Sequence, residues 1–175
     1  MDAGDRRVWK QDQDVRPLSD LGRRQADMVC DALSAEPVDA LYSSAALRCR
    51  QTIEPLVRRF GLPITTLAGL HETDEWLPPL LWRNDRFGAN DPVGGAYAAG
   101  LAMHALETIR AEYRSGRVVA CTHGDVLPSL IVYLIGAHGL ELPAPNPTRG
   151  GWYTLRFQDG AVEALHHDVL PNFPL

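Results

Sequence analysis

The sequence predicts an α/β fold, a three-layer sandwich in which a mostly parallel central sheet carries helices on both faces. Three observations lead to this expectation. Short apolar runs alternate with segments of helical periodicity, polar or Gly/Pro residues bound each run, and the chain closes with a strand–turn–strand pattern. Strands separated by helices pair in parallel. The closing hairpin is expected to add antiparallel strands at the edge of the sheet.

Length and composition fit one domain covering residues 1–175. The chain is 45% hydrophobic and 22% charged, which allows one sizeable core. Its formal net charge of -5 argues against a non-specific nucleic-acid binder. No apolar run reaches the roughly 18 residues of a membrane span, and residues 1–7 do not resemble a signal peptide. We therefore expect a cytoplasmic protein without a membrane or nucleic-acid partner.

The cysteines indicate neither a disulfide framework nor a zinc site. The chain has three of them, far apart and without CxxC spacing. Cys30 and Cys121 lie in apolar stretches and are interpreted as core residues. This pattern fits a reducing compartment.

The first half of the chain is predicted to form two helices with a short strand between them. Residues 1–17 are polar and irregular, and Ser19 then serves as the N-cap of a helix that ends before Pro37. Residues 39–43 form a short apolar strand. The second helix runs over residues 45–60.

Two residues indicate where the second helix is interrupted or ends. Gly61 is a natural helix stop, and Pro55 predicts a kink or an early break. Residues 63–70 are expected to form a strand. The stretch 71–95 is rich in Pro, Gly, Trp and Asp and predicts a loop, with a short helix near residues 78–83.

The second half of the chain continues the alternation. It predicts a helix over residues 96–114, a compact buried strand over 117–122 and a helix over 125–135. A Pro-rich loop over residues 141–149 follows. Residues 151–168 predict a hairpin that turns at Gln158-Asp159-Gly160.

Two segments place polar residues where a short strand ends and a helix begins. They are residues 41–52 and 118–125, and they carry Arg48 and His123. Ligands of open α/β sheets collect outside the carboxyl ends of the strands, and helix N-termini there favour anions. Each residue alone is more simply a surface arginine or a structural histidine. Together they indicate a phosphate pocket.

Four of the remaining histidines are interpreted as structural or surface residues: His104, His138, His166 and His167. The run His166-His167-Asp168 has the composition of a metal site. Adjacent strand residues point to opposite faces, so the two imidazoles are badly placed to share one ion. No metal is expected.

Four segments together resemble the histidine phosphatase (phosphoglycerate-mutase-like) superfamily. Residues 43–52, SSAALRCRQT, resemble its SSPxxRAxQT signature, and 121–126, CTHGDV, resemble its second-histidine segment. Residues 16–26, RPLSDLGRRQA, resemble its RPLTxxGxxQA helix start, and Leu70-His71-Glu72 falls where many members have an LxE. The chain is most similar to the SixA-like branch, including the domain fused to Nudix domains in some actinobacterial proteins.

The resemblance implies a mechanism and the role of each residue. A histidine at the end of the first strand attacks the phosphoryl group, and water hydrolyses the phosphohistidine. Arg48 matches the second phosphate-clamp arginine, and His123 the second histidine. Glu72 is the candidate general acid, with Asp74 and Glu75 as competitors. The implied partner is a small phosphorylated substrate or a phosphohistidine protein, and no cofactor is implied.

The chain departs from the family at its start. No Arg-His pair occurs in residues 1–70, so the nucleophilic histidine, the first arginine and the first strand of the family are missing. We expect two strands with unpaired edges, and residues 1–175 alone to be inactive. Three explanations stay open: the segment precedes Met1 in the natural protein, the domain binds a phosphate ligand without turnover, or residues from a tag or a neighbouring copy fill the place.

Substrate identity depends on loops that the motifs do not cover. The loops over residues 71–95 and 141–150 carry Arg83, Arg86 and Arg149 as candidate anion contacts. Each is more simply a plain surface arginine. A mutase is a weaker interpretation, because mutases carry longer insertions around the substrate pocket.

Overall fold

A parallel sheet forms the centre of the computed structural model, which describes residues 1–72, 92–141 and 150–169. The predicted α/β class, with helices on both faces of a parallel sheet, is confirmed. The elements, in chain order, are α1 (Asp20–Leu33), β1 (Ala40–Ser43), α2 (Leu47–Phe60), β2 (Ile64–Thr66), α3 (Pro92–Glu112), β3 (Val118–Cys121), α4 (Val126–His138), β4 (Trp152–Gln158) and β5 (Ala161–Asp168). Single 3-10 turns lie at Gln13–Val15 and Ala68–Leu70.

Strand β1 is the middle of the sheet, whose order is β2-β1-β3. It pairs in parallel with both neighbours, with Leu41 opposite Ile64 and Val119. All four of its residues are buried, as expected for a strand covered on both faces. This strand therefore fixes the direction in which all three strands end.

Alternate residues of β1 pack against different helices. Leu41 points into a core cluster that includes Cys30 of α1 and Leu56 of α2. Ala40 and Tyr42 face the opposite side, where they pack with α3. Because successive strand residues point to opposite faces, this alternation produces the three layers.

The helix boundaries follow the local signals. Ser19 caps α1 by accepting a hydrogen bond from the Gly22 N–H at 3.0 Å. Gly61 ends α2 in the left-handed conformation, with a φ of 69°. The predicted early break at Pro55 is wrong, since α2 continues to Phe60. The packing of its buried Ile53 outweighs the one backbone hydrogen bond that proline cannot make.

The predicted strand over residues 63–70 is shorter than expected. It covers Ile64–Thr66 and gives way to the 3-10 turn Ala68–Leu70. Its partner β1 ends at Ser43, opposite Thr66, so the ladder has no further residues to pair. The turn packs tightly on α3: a Cβ on Gly69 would lie 2.2 Å from the Leu101 carbonyl oxygen.

Strand β3 is less buried than the sequence predicts. Ala120 is exposed and the other three residues are half-buried. Within the described residues β3 is hydrogen-bonded on one edge, to β1, and β4 on one edge, to β5. The hairpin β4–β5 therefore forms its own two-stranded sheet, contrary to the expectation that it joins the central one.

The hairpin turn has the predicted chemistry. Asp159 and Gly160 both have positive φ, 49° and 91°. Two such central residues match the twist of an antiparallel pair, and Asp-Gly is a preferred sequence for them. Val162 of β5 packs into a third core cluster with α3 and α4.

The first residues of the chain pack on the start of α1. The Asp2 N–H donates to Gln25 Oε1 at 2.6 Å, and the Ser19 hydroxyl donates to the Asp2 carboxylate at 2.5 Å. A Cβ on Gly22 would lie 1.9 Å from the Asp2 carbonyl oxygen, so only glycine allows this approach. These contacts carry the chain toward the carboxyl end of the sheet.

Some expectations lie outside the described residues. They are the short helix near residues 78–83, most of the loop over 71–95, and the Pro-rich loop over 141–149. In the part that is described, no helix is long and apolar enough to cross a membrane.

Stability at alkaline pH should depend on Tyr42. Burial, together with the hydrogen bond to the Glu112 carboxylate, raises the pKa of Tyr42 from 10.0 to about 12. The folded state keeps this phenol proton where the unfolded state has released it, so the contribution is present below pH 10 and lost as pH rises through about 12. Tyr42→Phe should lose about 1 kcal/mol at pH 8.

Chemical denaturation at pH 8 and pH 11 measures this effect. The difference in unfolding free energy between the wild type and Tyr42→Phe should shrink at the higher pH. Tyr133→Phe, at a tyrosine that is 50% exposed, is the control and should show no such change. A difference for Tyr42→Phe that stays constant with pH would contradict the assignment.

Candidate functional site

Parallel pairing brings the two strand–helix junctions side by side. Ser43 of β1 lies opposite Cys121 of β3, and the Ser44 N–H donates to the Cys121 carbonyl at 2.9 Å, one residue beyond the strand. Arg48, in the first turn of α2, and His123, two residues after β3, therefore meet at the carboxyl edge of the sheet. Both are buried, at 8% and 6% exposure.

The guanidinium of Arg48 is the centre of the site. Its Nη1 donates to the Gln13 carbonyl at 2.5 Å, and its Nη2 donates to Glu72 Oε2 at 2.6 Å. The same Nη2 lies 3.2 Å from Nδ1 of His123. Because arginine has only donors, it orients each of these groups with an acceptor toward itself.

Glu72 lies two residues after the 3-10 turn Ala68–Leu70. Its second oxygen lies 3.3 Å from Nη1 of Arg6, so the carboxylate forms ion pairs with two arginines. The Thr122 hydroxyl donates to the Leu70 carbonyl at 2.8 Å and ties this turn to the end of β3. The structure thus brings together all three predicted site residues: Arg48, Glu72 and His123.

A serine and a second histidine, which the sequence interpretation left without a role, complete the cluster. Ser44, fully buried, lies with its Oγ 2.8 Å from His123 Nε2 and 2.9 Å from His71 Nδ1. His71 Nε2 lies 3.2 Å from the carboxylate of Asp14. The two imidazoles pack edge to face with centroids 5.7 Å apart. The sequence contains one indication that His71 belongs to the site, because His71 directly precedes the candidate acid Glu72 in the LxE segment.

Two cysteines border the cluster. Cys49 Sγ lies 3.5 Å from His123 Nε2, and the sulfurs of Cys49 and Cys121 approach the same Thr122 carbonyl. The adjacent Cys121 thiol, together with burial, raises the pKa of Cys49 well above its usual range. Cys49 therefore stays a neutral thiol at physiological pH and packs as a small hydrophobic residue.

The other predicted candidates lie elsewhere. His104, His138 and His166 are exposed, and His167 stacks on Tyr153 at 4.6 Å between ring centroids. In the described segments, no three His, Cys, Asp or Glu residues are arranged to hold a metal ion. The competitors of Glu72 and the three candidate anion contacts lie outside the described residues: Asp74, Glu75, Arg83, Arg86 and Arg149.

The arrangement is suited to gripping an oxyanion. Arg48 offers a planar fork that matches two oxygens of a carboxylate or phosphate. It holds the Glu72 carboxylate in this structure, which shows that its fork accepts an anion on the side where His123 lies. A phosphate replacing that carboxylate on Arg48 would lie within reach of the His123 ring.

The fold and the site define an α/β domain with a buried cationic group at the carboxyl edge of a parallel sheet. A model of the histidine phosphatase superfamily (branch 1) matches residues 2–76 and 82–169. The chain therefore belongs to the histidine phosphatase superfamily, which confirms the resemblance seen in the sequence.

Similar proteins agree with this family. The 8-oxo-(d)GTP phosphatase of Mycolicibacterium smegmatis is 29% identical over 162 residues, which cover 91% of this chain and 43% of that protein. The chain thus spans less than half the length of this curated relative.

Two solved structures share the fold. Bacillus stearothermophilus YhfR has a TM-score of 0.67 at 20% identity, over 85% of this chain and 83% of that one. The protein histidine phosphatase SixA, solved with tungstate, has a TM-score of 0.61 at 18% identity, over 94% and 92%. At these identities the likeness is one of fold.

Removing the buried cation should destabilise the domain. Arg48→Met would leave Glu72, with a side chain only 16% exposed, without its shorter ion pair, and would remove the donor to the Gln13 carbonyl. We expect a loss of about 3 kcal/mol in unfolding free energy. Arg50→Met, two residues along the same helix and exposed, is the matched control and should cost less than about 0.5 kcal/mol. Equal losses in the two variants would refute the central role of Arg48.

Proposed function

We propose that this domain hydrolyses phosphohistidine or a small phosphate ester through a phosphohistidine intermediate. The observation that carries the proposal is the convergence of Arg48, His123 and Glu72 on one buried cluster at the carboxyl edge of the sheet. The attacking histidine and the first arginine are proposed to come from a segment outside residues 1–175. The proposed mechanism below uses the groups that this chain supplies.

Arg48 and His123 hold the phosphoryl group in this mechanism. The substrate phosphate displaces Glu72 from the Arg48 guanidinium and receives two hydrogen bonds from its fork. His123 donates to a further phosphoryl oxygen. Phosphoryl transfer depends mainly on positioning and on matching the charge of the equatorial oxygens, and both groups do this from a buried site where screening by water is weak.

Glu72 acts as the general acid once the substrate has released it from Arg48. It protonates the leaving oxygen and then assists the attacking water. In the substrate-free site its two oxygens contact Arg6 and Arg48. A phosphoramidate leaving group needs less help from an acid than an alkyl alcohol does. This arrangement is therefore compatible with a phosphohistidine substrate.

Support for an external nucleophilic segment comes from the sheet. Strand β3 is half-exposed although its parallel partner β1 is fully buried. An apolar strand hydrogen-bonded to the second edge of β3 would cover Ala120 and end beside His123. Its last residues would then face the Arg48 fork. The length of the curated relative, more than twice the matched region, is also compatible with a longer natural protein.

The alternative function is binding of a phosphate ligand without turnover. It is supported by the contact between Arg48 and His123, the two groups suited to gripping an anion. Binding needs Arg48 and His123 alone. Such a domain would regulate or sense rather than catalyse.

The substrate class is proposed from chemistry. The curated relative is described as an 8-oxo-(d)GTP phosphatase, and a fold neighbour as a protein histidine phosphatase. A phosphoryl group is common to both substrates, and Arg48 and His123 are the groups that would recognise it. A Nudix domain accompanying this one in the natural protein, and a cytoplasmic location, are further parts of the proposal.

The upstream coding sequence and one assay test the proposal. The codons directly before Met1 should read in frame as an apolar strand ending in Arg-His. A protein extended by that segment should hydrolyse p-nitrophenyl phosphate, and residues 1–175 should not. Arg48→Ala in the extended protein should lower kcat/KM by about 10²-fold or more, because it removes a charge-matching group from the transition state.

Arg50→Ala in the extended protein is the control and should retain activity. A stop codon directly before Met1 would contradict the proposal that the nucleophilic histidine is encoded upstream of Met1. Inactivity of both proteins, with phosphate binding lost in Arg48→Ala and kept in Arg50→Ala, would favour the binding function instead.

A further inference from the structure

The cluster contains a continuous chain of hydrogen bonds that the proposed mechanism does not use. It runs from Arg48 to Nδ1 of His123, from His123 Nε2 to Ser44 Oγ, from Ser44 Oγ to His71 Nδ1, and from His71 Nε2 to Asp14. The four heavy-atom distances lie between 2.8 and 3.2 Å. Both imidazoles and the serine are buried.

The two ends of this chain determine where every hydrogen lies. Arginine can only donate, so His123 Nδ1 accepts and its Nε2 carries the hydrogen. A carboxylate can only accept, so a neutral His71 donates to Asp14 from Nε2 and accepts at Nδ1. The Ser44 hydroxyl then accepts from His123 and donates to His71. All donors and acceptors agree in one direction, which is the condition for a fully satisfied buried network.

The network closes on itself. Asp14 belongs to the 3-10 turn Gln13–Val15, and the carbonyl of Gln13 in the same turn accepts from Arg48 at 2.5 Å. The Ala46 N–H also donates to Ser44 Oγ, at 3.2 Å, which uses the last acceptor position of that hydroxyl. The relay residues are thus held from both ends and from the start of α2.

We propose that Asp14, His71 and Ser44 form a relay that, together with Arg48, sets which nitrogen of His123 carries the hydrogen and exchanges a proton between the phosphate site and solvent. His71 is a positioning residue in this relay, since it acts on the phosphoryl group through Ser44 and His123. The carboxylate of Asp14, with 33% of its side chain exposed, is the outlet to water. This inference rests on the proposed phosphate-binding role of the site.

One proton moves in each passage of the relay. A bound phosphate monoanion gives its proton to Nδ1 of His123, and the Nε2 hydrogen of His123 passes to Ser44 Oγ. The hydroxyl hydrogen of Ser44 passes to Nδ1 of His71, and the Nε2 hydrogen of His71 passes to Asp14. Both imidazoles are neutral before and after. His123 then presents an Nδ1–H to the phosphate dianion, and Asp14 releases the proton to water.

The charged and titratable neighbours are compatible with this direction. Arg48 and Cys49 contact His123, Glu72 contacts Arg48, and Cys49 stays a neutral thiol. The Glu72 carboxylate accepts from Arg48 in the substrate-free site, so it does not compete for Nδ1 of His123. A phosphate that displaces Glu72 binds Nη2 of Arg48, the atom that also contacts Nδ1 of His123.

Long-range ¹H–¹⁵N spectra of the ¹⁵N-labelled chain test the resting arrangement without any catalysis. In the ligand-free protein, His123 and His71 should each show an unprotonated Nδ1 and a protonated Nε2. His71→Phe keeps an aromatic ring but removes both nitrogens, so the Ser44 hydroxyl loses its acceptor and competes for Nε2 of His123; the preference of His123 for the Nε2–H form, which Arg48 also supports, should fall. His104→Phe, at an exposed histidine of α3, is the control and should leave the His123 signals unchanged.

If His71→Phe does not fold, Asp14→Asn at the half-exposed end of the relay takes its place. It should reduce the preference of His71 for the Nε2–H form, because an amide can donate as well as accept. An Nδ1–H form of His123 in the ligand-free wild type would overturn the relay. So would unchanged histidine signals in the variant that folds.

Titration with inorganic phosphate separates the relay from the proposed function. Phosphate should convert His123 of the wild type to the Nδ1–H form. His71→Phe, or Asp14→Asn if it takes that variant's place, should bind phosphate about tenfold more weakly. If phosphate binds at Arg48 while His123 keeps its Nε2–H form, the relay is overturned but the proposed phosphate-binding site is retained. No phosphate binding at all, with the expected resting signals, would support the hydrogen-bond order and count against the proposed function.

Discussion

The hydrogen bonds of the Arg48 guanidinium hold together segments that are far apart in the chain. The group is almost fully buried and contacts the 3-10 turn at Gln13, the carboxylate of Glu72 and the ring of His123. A buried cation is stable only when it is paired and hydrogen-bonded, so these three segments must meet at the first turn of α2. The rest of the domain brings them there.

The parallel sheet supplies the framework for that meeting. Because β1 and β3 run in the same direction with Ser43 opposite Cys121, the residues after each strand emerge at the same edge. Ser44 lies one residue beyond β1 and His123 lies two residues beyond β3, and Ser44 Oγ is 2.8 Å from His123 Nε2. A site made this way rests on strand ends, which hold its groups in a fixed geometry.

Within the described residues the central sheet has an edge strand on each side, β2 and β3. One edge of β3 is paired and its other edge is not, within the described segments, and the hairpin β4–β5 stands as a separate sheet. The buried cluster at the carboxyl edge of this sheet contains Arg48, His71 and His123. The relay from His123 to Asp14 would give such a pocket an outlet for protons on the side away from the sheet.

Much of the fold and half of the site could be predicted from the sequence, because they depend on interactions between residues close together in the chain. The Ser19 cap, the Gly61 stop and the Asp159–Gly160 turn depend on neighbouring residues, and the positions of Arg48 and His123 follow from strands that end beside them. The tertiary structure alone decided that β2 stops where β1 ends, that the hairpin forms its own sheet, and that His71 and Asp14 join the site. Those outcomes depend on pairing and burial between segments distant in the chain, which no local pattern encodes.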